Sequence, residues 1–421
     1  FNMSGMPWVT TALLIGINLG LIWLLMAAPA GKRTVTASRR IKASPAHLWS
    51  ALFPFGNNAL WDGTYISIQR VGDNKADAEI GWDGRDGKPI RRTIEVAQVT
   101  PERSFDLRVT NDTSLHNSFW ENHSETVTLR PDGEATIVTI SETDRYRGFA
   151  FPLFRHFKNR RHLHALEGWA TTGAYKKSGW FESFPAQMGM AALSILFLWP
   201  FFGLTIIGLL MSAVLSAVVV AHEAGHMFAF RAMGHKTARM IILPFLGGVA
   251  LGGRPYNTHF EVGFSALMGA GMSVFPVIVA IMLFGPLQAA GYNTAATLAG
   301  AFGTIGAIFN LGNLVPVWKF DGGQVIRQVF RSRAGQGVAS FLLLGGLLLA
   351  GSNAGFSPRA LLVIGAVFAL LSVVTTGSGV KPKFALVPMT SPERILVFCG
   401  LIAAFTAHAF GAVWGFTVFL S

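Results

Sequence analysis

The chain has 421 residues, 51% hydrophobic and only 13% charged, against roughly a quarter charged in an ordinary soluble domain. That balance excludes a single soluble globule, and 47 Gly and 19 Pro without a repeat, beside 12% aromatics, exclude a collagenous, coiled-coil or disordered chain. The formal net charge of +12 does not point to nucleic acid, because the basic residues stand at the edges of apolar spans rather than in one stripe.

The charge is unevenly spread. Between Gly31 and Glu182 lie 22 Lys/Arg and 18 Asp/Glu, so the other 269 residues hold only 12 basic and four acidic groups. One part reads as soluble and the rest as membrane. Cys399 is the sole cysteine, which leaves no internal disulfide and no cysteine-based zinc cluster; it reads as a buried core thiol.

In chain order, Trp8 to Ala28 is an uncharged run long enough to cross ~30 Å of hydrocarbon, followed by Lys32 and Arg33. No positive region precedes it, so it reads as a retained anchor rather than a cleaved signal. The soluble segment, Thr34 to Lys177, opens with the alternating stretch Val35 to Ile41 and a short helix, Pro45 to Phe53. Strands are predicted at Thr64–Val71, Ala76–Trp82, Ile90–Val99, Phe105–Val109, Glu125–Leu129 and Ala135–Thr143, separated by turn signals such as Asp83-Gly84 and Pro131-Asp132-Gly133. A longer helix closes the segment, with Leu163, Leu166, Trp169, Ala170 and Gly173 at helical spacing. This is an α+β order.

Apolar spans follow at Phe184–Phe202, Leu204–Met233, Phe260–Leu287, Thr294–Val317, Gly335–Leu349, Arg359–Thr375 and Ile395–Phe419, eight with the anchor. Threaded alternately with the N-terminus outside, they leave only Arg359 in the outer loops and every other basic group inside. The expected architecture is a polytopic α-helical membrane protein of about eight transmembrane helices with an inserted α+β soluble domain. Its location is the cell (inner) membrane, multi-pass, with that domain cytoplasmic and both termini outside.

Four acidic residues lie outside the soluble segment: Glu223, Glu261, Asp321 and Glu393. Glu261 and Glu393 fall at predicted helix starts, where the helix dipole and water account for them. Glu223 belongs to His222-Glu223-Ala224-Gly225-His226, an H-E-x-x-H run within an apolar helix. Histidines four residues apart share one helical face about 6 Å apart in rise, so both can reach one ion, with Glu223 on the same side as a base. A catalytic zinc takes three protein ligands and keeps one open position, and the remaining unexplained carboxylate, Asp321, supplies the third. Gly300, Gly303 and Gly306 are expected to permit close helix packing.

Two family resemblances follow from these residues. Ile41-Lys42-Ala43-Ser44-Pro45-Ala46-His47-Leu48-Trp49, with Trp61-Asp62 beyond, resembles the opening of the START-like, or polyketide-cyclase-like, helix-grip superfamily. It implies a curved sheet gripping a long helix around a cavity that takes a small apolar ligand or peptide. His222, Glu223 and His226, with Asn313, Pro316, Asp321 and Gly322, resemble the H-E-x-x-H and N-x-x-P-x-x-x-x-D-G motifs of the site-2 proteases, intramembrane zinc metalloproteases. That resemblance implies one zinc on His222, His226 and Asp321, Glu223 as general base and acid, and Asn313 holding the backbone of a transmembrane protein substrate.

Leu243 to Ala250, including Gly247 and Gly248, resembles that family's membrane-associated strand, whose edge pairs with substrate; a plain re-entrant loop is the equal alternative. The expected domains are an anchor at 8–28, a START-like domain at 34–177, an intramembrane metalloprotease core at 184–333 and C-terminal helices at 335–421. The partners implied are a membrane-protein substrate and the bilayer, with no nucleic acid. The rival reading is a membrane-anchored ligand-binding sensor with a structural metal site. Glu223 beside both histidines argues against it, since a structural site needs no base.

Overall fold

The computed structural model describes residues 20, 23–24, 28–84, 88–175, 183–202, 204–243, 247–317, 320–374 and 383–421. Most of the expected anchor at 8–28 therefore lies outside the described residues. The chain divides into two compact units, residues 1–181 with 379–385, and residues 182–378 with 386–421.

The first unit is a seven-stranded antiparallel sheet with two helices. Its strands are β1 (Pro29–Ile41), β2 (Tyr65–Arg70), β3 (Lys75–Asp83), β4 (Pro89–Thr100), β5 (Ser104–Asp112), β6 (Ser124–Asp132) and β7 (Ala135–Arg147), in the order β1-β7-β6-β5-β4-β3-β2. The first strand thus pairs with the last, in a register running from Ile41 opposite Thr136 to Lys32 opposite Arg145. Helix α1 (Pro45–Leu52) begins where the Ser44 side chain accepts the His47 N–H, with Pro45 in the first turn, where a missing N–H costs nothing.

The long helix α2 (Ala150–Thr172) ends at Gly173, whose φ of 70° suits glycine. Its buried Leu163, Leu166 and Trp169 pack with Ala37, Ile41, Leu48, Phe105, Val127, Val138 and Ile140 in one apolar core. Each fully buried aliphatic or aromatic side chain there is worth about 1.5–3 kcal/mol. His47 stacks on Trp169 at 4.9 Å between ring centroids, joining α1 to α2.

Charge also enters this layer. Glu142 on β7 is buried among Arg155 and Lys158 of α2 and His123, the last at 3.5 Å. Burial by itself raises its carboxyl, but the His123 hydrogen bond and the Lys158 and Arg155 charges outweigh it and hold the group at about 2. Glu125, directly opposite on β6, is pushed up by burial and by the Glu142 charge.

The second unit is helical around one β-hairpin. Its elements are α3 (Phe184–Leu198), α4 (Ile206–Ala232), β8 (Arg239–Leu243), β9 (Gly247–Leu251), α5 (His259–Ala289), α6 (Asn293–Asn313), α7 (Asp321–Val329), α8 (Arg333–Asn353), α9 (Pro358–Val374) and α10 (Ser391–Trp414). Among the described residues five helical segments are long and apolar enough to cross a membrane, 206–232, 259–289, 293–313, 333–353 and 391–419; α3 and 358–368 are shorter apolar helices. Thr205, Thr258 and Thr390 cap α4, α5 and α10, the last in a reciprocal capping box with Glu393. The glycine stripe of α6 has the packing role expected: a Cβ on Gly303 would stand 2.7 Å from Ile281 and one on Gly306 2.7 Å from Val277.

Three expectations are corrected. Helix α6 ends at Asn313, short of Val317, because Pro316 disfavours helical backbone at Val315 and brings no N–H of its own. Cys399 is exposed, on the same face of α10 as Ile395, Leu396 and Ile402, so apolar surroundings in sequence misread an outward position as core. Glu261 stands in the first turn of α5 as expected, but it is buried there, and an ion pair with Arg254 at 2.9 Å and the Asn257 N–H add to the helix dipole.

Candidate metal centre

Helix α4 presents His222 and His226 one turn apart, and α7 begins with Asp321. The two Nε2 atoms are 3.1 Å apart, and Asp321 Oδ2 lies 3.1 Å from His222 Nε2 and 3.4 Å from His226 Nε2. Donor atoms of a four-coordinate zinc with ~2.0–2.1 Å bonds stand about 3.3 Å apart, so this triangle has the size such an ion needs.

The hydrogen bonds around the histidines fix which nitrogen carries the proton. His222 Nδ1 is 2.7 Å from Asn310 Oδ1, and that amide's Nδ2 donates to Gly306 O at 2.8 Å, which leaves the oxygen to accept. His226 Nδ1 donates to Ser265 O at 2.7 Å. With the ring proton on Nδ1, a neutral imidazole at either position turns its Nε2 lone pair inward, toward Asp321 Oδ2, a buried carboxylate oxygen with no hydrogen-bond donor among the described residues. Three convergent lone-pair donors repel one another unless a cation sits among them, and the residues fit zinc on that ground.

Glycines bring the pieces this close. A Cβ on Gly269 of α5 would stand 2.5 Å from His226 Cε1 and 2.8 Å from His222 Cε1, and one on Gly225 would strike the Met268 carbonyl, so α4 and α5 meet backbone to backbone. A Cβ on Gly322 would fall on the Leu314 carbonyl, so glycine after Asp321 lets α7 start against the end of α6.

Glu223 offers a carboxylate oxygen within 4.8 Å of a ligand nitrogen on each histidine. Its Oε2 accepts the Ala250 N–H of β9 at 2.9 Å, and a Cβ on Gly248 would stand 2.5 Å from its Cγ, so the glycine lets β9 lie against this side chain. Asp321 Oδ2 closes a triangle with the two Nε2 atoms, and Glu223 stands beside them, so the two carboxylates flank the same pair of histidines. The expected single segment Leu243 to Ala250 is divided between two paired strands: Leu243 ends β8, Gly247 and Gly248 open β9, and residues 244–246 lie outside the described residues. Asn313 lines a cavity of about 380 Å³ together with His222, Glu223, Ser194, Ser216 and Ile242; its Nδ2 donates to Phe309 O. A larger cavity, about 530 Å³, lies in the sheet unit, lined by Arg108, Trp120 and His123 among others, and holds none of these donors.

Sequence reasoning missed Asn310, Ser265 and Gly269. Only Asn310 left a signal, an amide inside an apolar span, which needs a reason as Glu223 does.

Comparison with known proteins bears on both units. Residues 32–172 match the family described as polyketide cyclase / dehydrase and lipid transport, so the sheet unit carries a START-like domain. A Synechocystis sp. protein named "Putative zinc metalloprotease sll0528" is 31% identical over 127 residues, 30% of this chain. The match spans only 32% of that protein's length. Similar solved structures include the Aha1 dimer from Colwellia psychrerythraea, with 16% identity over 34% of this chain and 98% of that one, at a TM-score of 0.28. A START superfamily protein from Mycobacterium smegmatis has 11% identity over 33% of this chain and 97% of that one, at a TM-score of 0.27.

Proposed function

We propose that this chain is an intramembrane zinc metalloprotease of the site-2 protease type, hydrolysing a peptide bond in or near a transmembrane segment of a membrane protein. The observation that carries the reading is the closed triangle of His222 Nε2, His226 Nε2 and Asp321 Oδ2 with Glu223 beside it at the edge of an apolar cavity. Zinc held by those three residues supplies Lewis acidity toward water and a carbonyl oxygen. Glu223, steadied by the Ala250 N–H, takes a proton from the attacking water and passes it to the leaving amine. Asn310 and Ser265 keep the imidazoles in the tautomer that leaves both Nε2 atoms free for the metal. The cavity excludes bulk water and receives apolar peptide, with Asn313 toward its backbone.

On this reading the five long helices belong to an eight-span protein of the inner membrane, with the START-like domain cytoplasmic, both termini outside, and a small apolar ligand or peptide in that domain. The 31% identity to a protein named as a metalloprotease supports the reaction class distantly.

The test is Glu223→Gln in the full chain, reconstituted with candidate single-span membrane proteins. Zinc content is expected to stay near one per chain while cleavage falls by ~10²-fold or more, the worth of a general base. A zinc-loaded variant cutting at close to the wild-type rate overturns the assignment of the base. A wild type that holds zinc and cleaves no membrane protein returns the site to a structural role.

A further inference from the structure

Helix α2 is amphipathic only in its C-terminal part. Its first two turns and the residue before them carry Phe149, Phe151, Leu153, Phe154 and Phe157, each 47–63% exposed. Five large apolar side chains within nine residues exceed the scattered exposure usual on a soluble domain, and such patches mark interaction sites.

The occupant follows from where the patch lies. The Gly148 N–H donates to Ala28 O at 2.7 Å and the Phe149 N–H to Leu24 O at 3.1 Å, so the start of α2 is bonded to the end of the uncharged run Trp8–Ala28. Trp23 and Leu24, at this end of the run, are themselves exposed. At the same end of the sheet, Lys32 of β1 stands directly opposite Arg145 of β7. Like charges facing across strands are unfavourable, and an anion above them relieves the repulsion. Aromatic side chains beside an apolar run and a cationic rim are the composition of a headgroup–acyl boundary contact.

We infer that the start of α2 is a membrane-insertion wedge. Phe149, Phe151, Leu153, Phe154 and Phe157 enter the bilayer interface, Lys32 and Arg145 meet lipid phosphates, and the START-like domain is thereby seated on the membrane rather than swinging from its tethers. The inference does not depend on the protease reading.

The test uses the full chain with Cys399→Ser, in which single cysteines at Phe154, Phe157 or Thr128, an exposed position on β6, carry an environment-sensitive fluorophore. The proteins are reconstituted into phosphatidylcholine vesicles with and without phosphatidylglycerol. Brominated acyl chains are expected to quench positions 154 and 157 several-fold more than 128, and aqueous iodide the reverse, with more lipid quenching when phosphatidylglycerol is present. Iodide quenching at 154 and 157 equal to that at 128 places the patch in water and overturns the wedge. Protection from both quenchers means that protein covers it, and overturns the wedge equally. Because both reporters remove part of the patch, Phe151→Asp in each background is the second variant, and it should shift both toward iodide quenching.

Discussion

Replacing Gly269 by alanine puts one methyl group where the two imidazoles meet α5. Carbon–carbon contacts are comfortable from ~3.5 Å. The new Cβ stands 2.5 Å from His226 Cε1 and 2.8 Å from His222 Cε1, so relief requires the rings to retreat by about 1.0 Å and 0.7 Å. Neither has an easy exit: His226 is bonded to Ser265 O, His222 to Asn310, and Gly225 already sets the backbones of α4 and α5 in contact. Metal–ligand distances tolerate only about ±0.2 Å, so at least one histidine leaves the set. Zinc affinity should fall by more than the ~10–100-fold that disturbing an outer partner costs, with about 1–3 kcal/mol of overpacking in the fold. Competition with a chromophoric chelator on full-length protein in detergent measures the affinity. Gly271→Ala is the control, since its Cβ meets nothing nearer than Met268 Sδ at 3.7 Å. Wild-type zinc affinity in Gly269→Ala, or an equal loss in Gly271→Ala, refutes the reasoning.

Asn310→Leu removes the acceptor that orients His222 and should weaken zinc binding ~10–100-fold without unfolding the chain, by the same chelator titration. Gly322→Ala drives a methyl into the Leu314 carbonyl and should cost about 1–3 kcal/mol and displace Asp321, whereas Gly312→Ala, with open space around it, should be neutral in thermal unfolding and zinc content. In the sheet unit the Glu142 carboxyl is depressed in the fold, so its stabilisation is complete above the unfolded value of 4.5 and is lost as pH falls toward about 2. Glu142→Gln should therefore destabilise this unit at neutral pH by about 3–5 kcal/mol, as breaking a buried ion pair does, and the gap to wild type should close over that acid window in amide exchange.

The strands were legible because alternation and turn residues act locally: Val35 to Ile41 and Ala135 to Thr143 announce their inward faces residue by residue. The juxtaposition of His222 and His226 was legible for the same reason, since i, i+4 spacing needs only a helix. Asp321 was reachable through rarity, as a carboxylate with little other charge around it. What tertiary packing decides was not legible. Gly269 matters through two rings on another helix, Glu261 through Arg254, and Asn310 through the far nitrogen of His222. Helix α7 is nine residues long and starts at Asp321 itself, too short for periodicity to single it out. The start of α2 escaped because its apolar residues face outward, against the amphipathic pattern that identified the rest of that helix.

The pairing of β1 with β7 sets a timetable for biogenesis. Thr34 and Thr143, whose hydroxyls meet at 2.8 Å, are 109 positions apart. At ~5–20 residues per second β1 leaves the ribosome about 5–20 s before its partner strand, with both its edges unpaired. The last strand to be made is thus the one that closes the sheet, and α2, which packs over that seam, follows at once. Every strand of this sheet, and α2, is translated before α3 begins, so the sheet can pair while the helices carrying His222 and Asp321 are still to be synthesised; residues 383–385 of the same unit follow only after them. A mutation that delays the β1–β7 closure would be felt as an exposed strand edge during synthesis, before the helical unit exists.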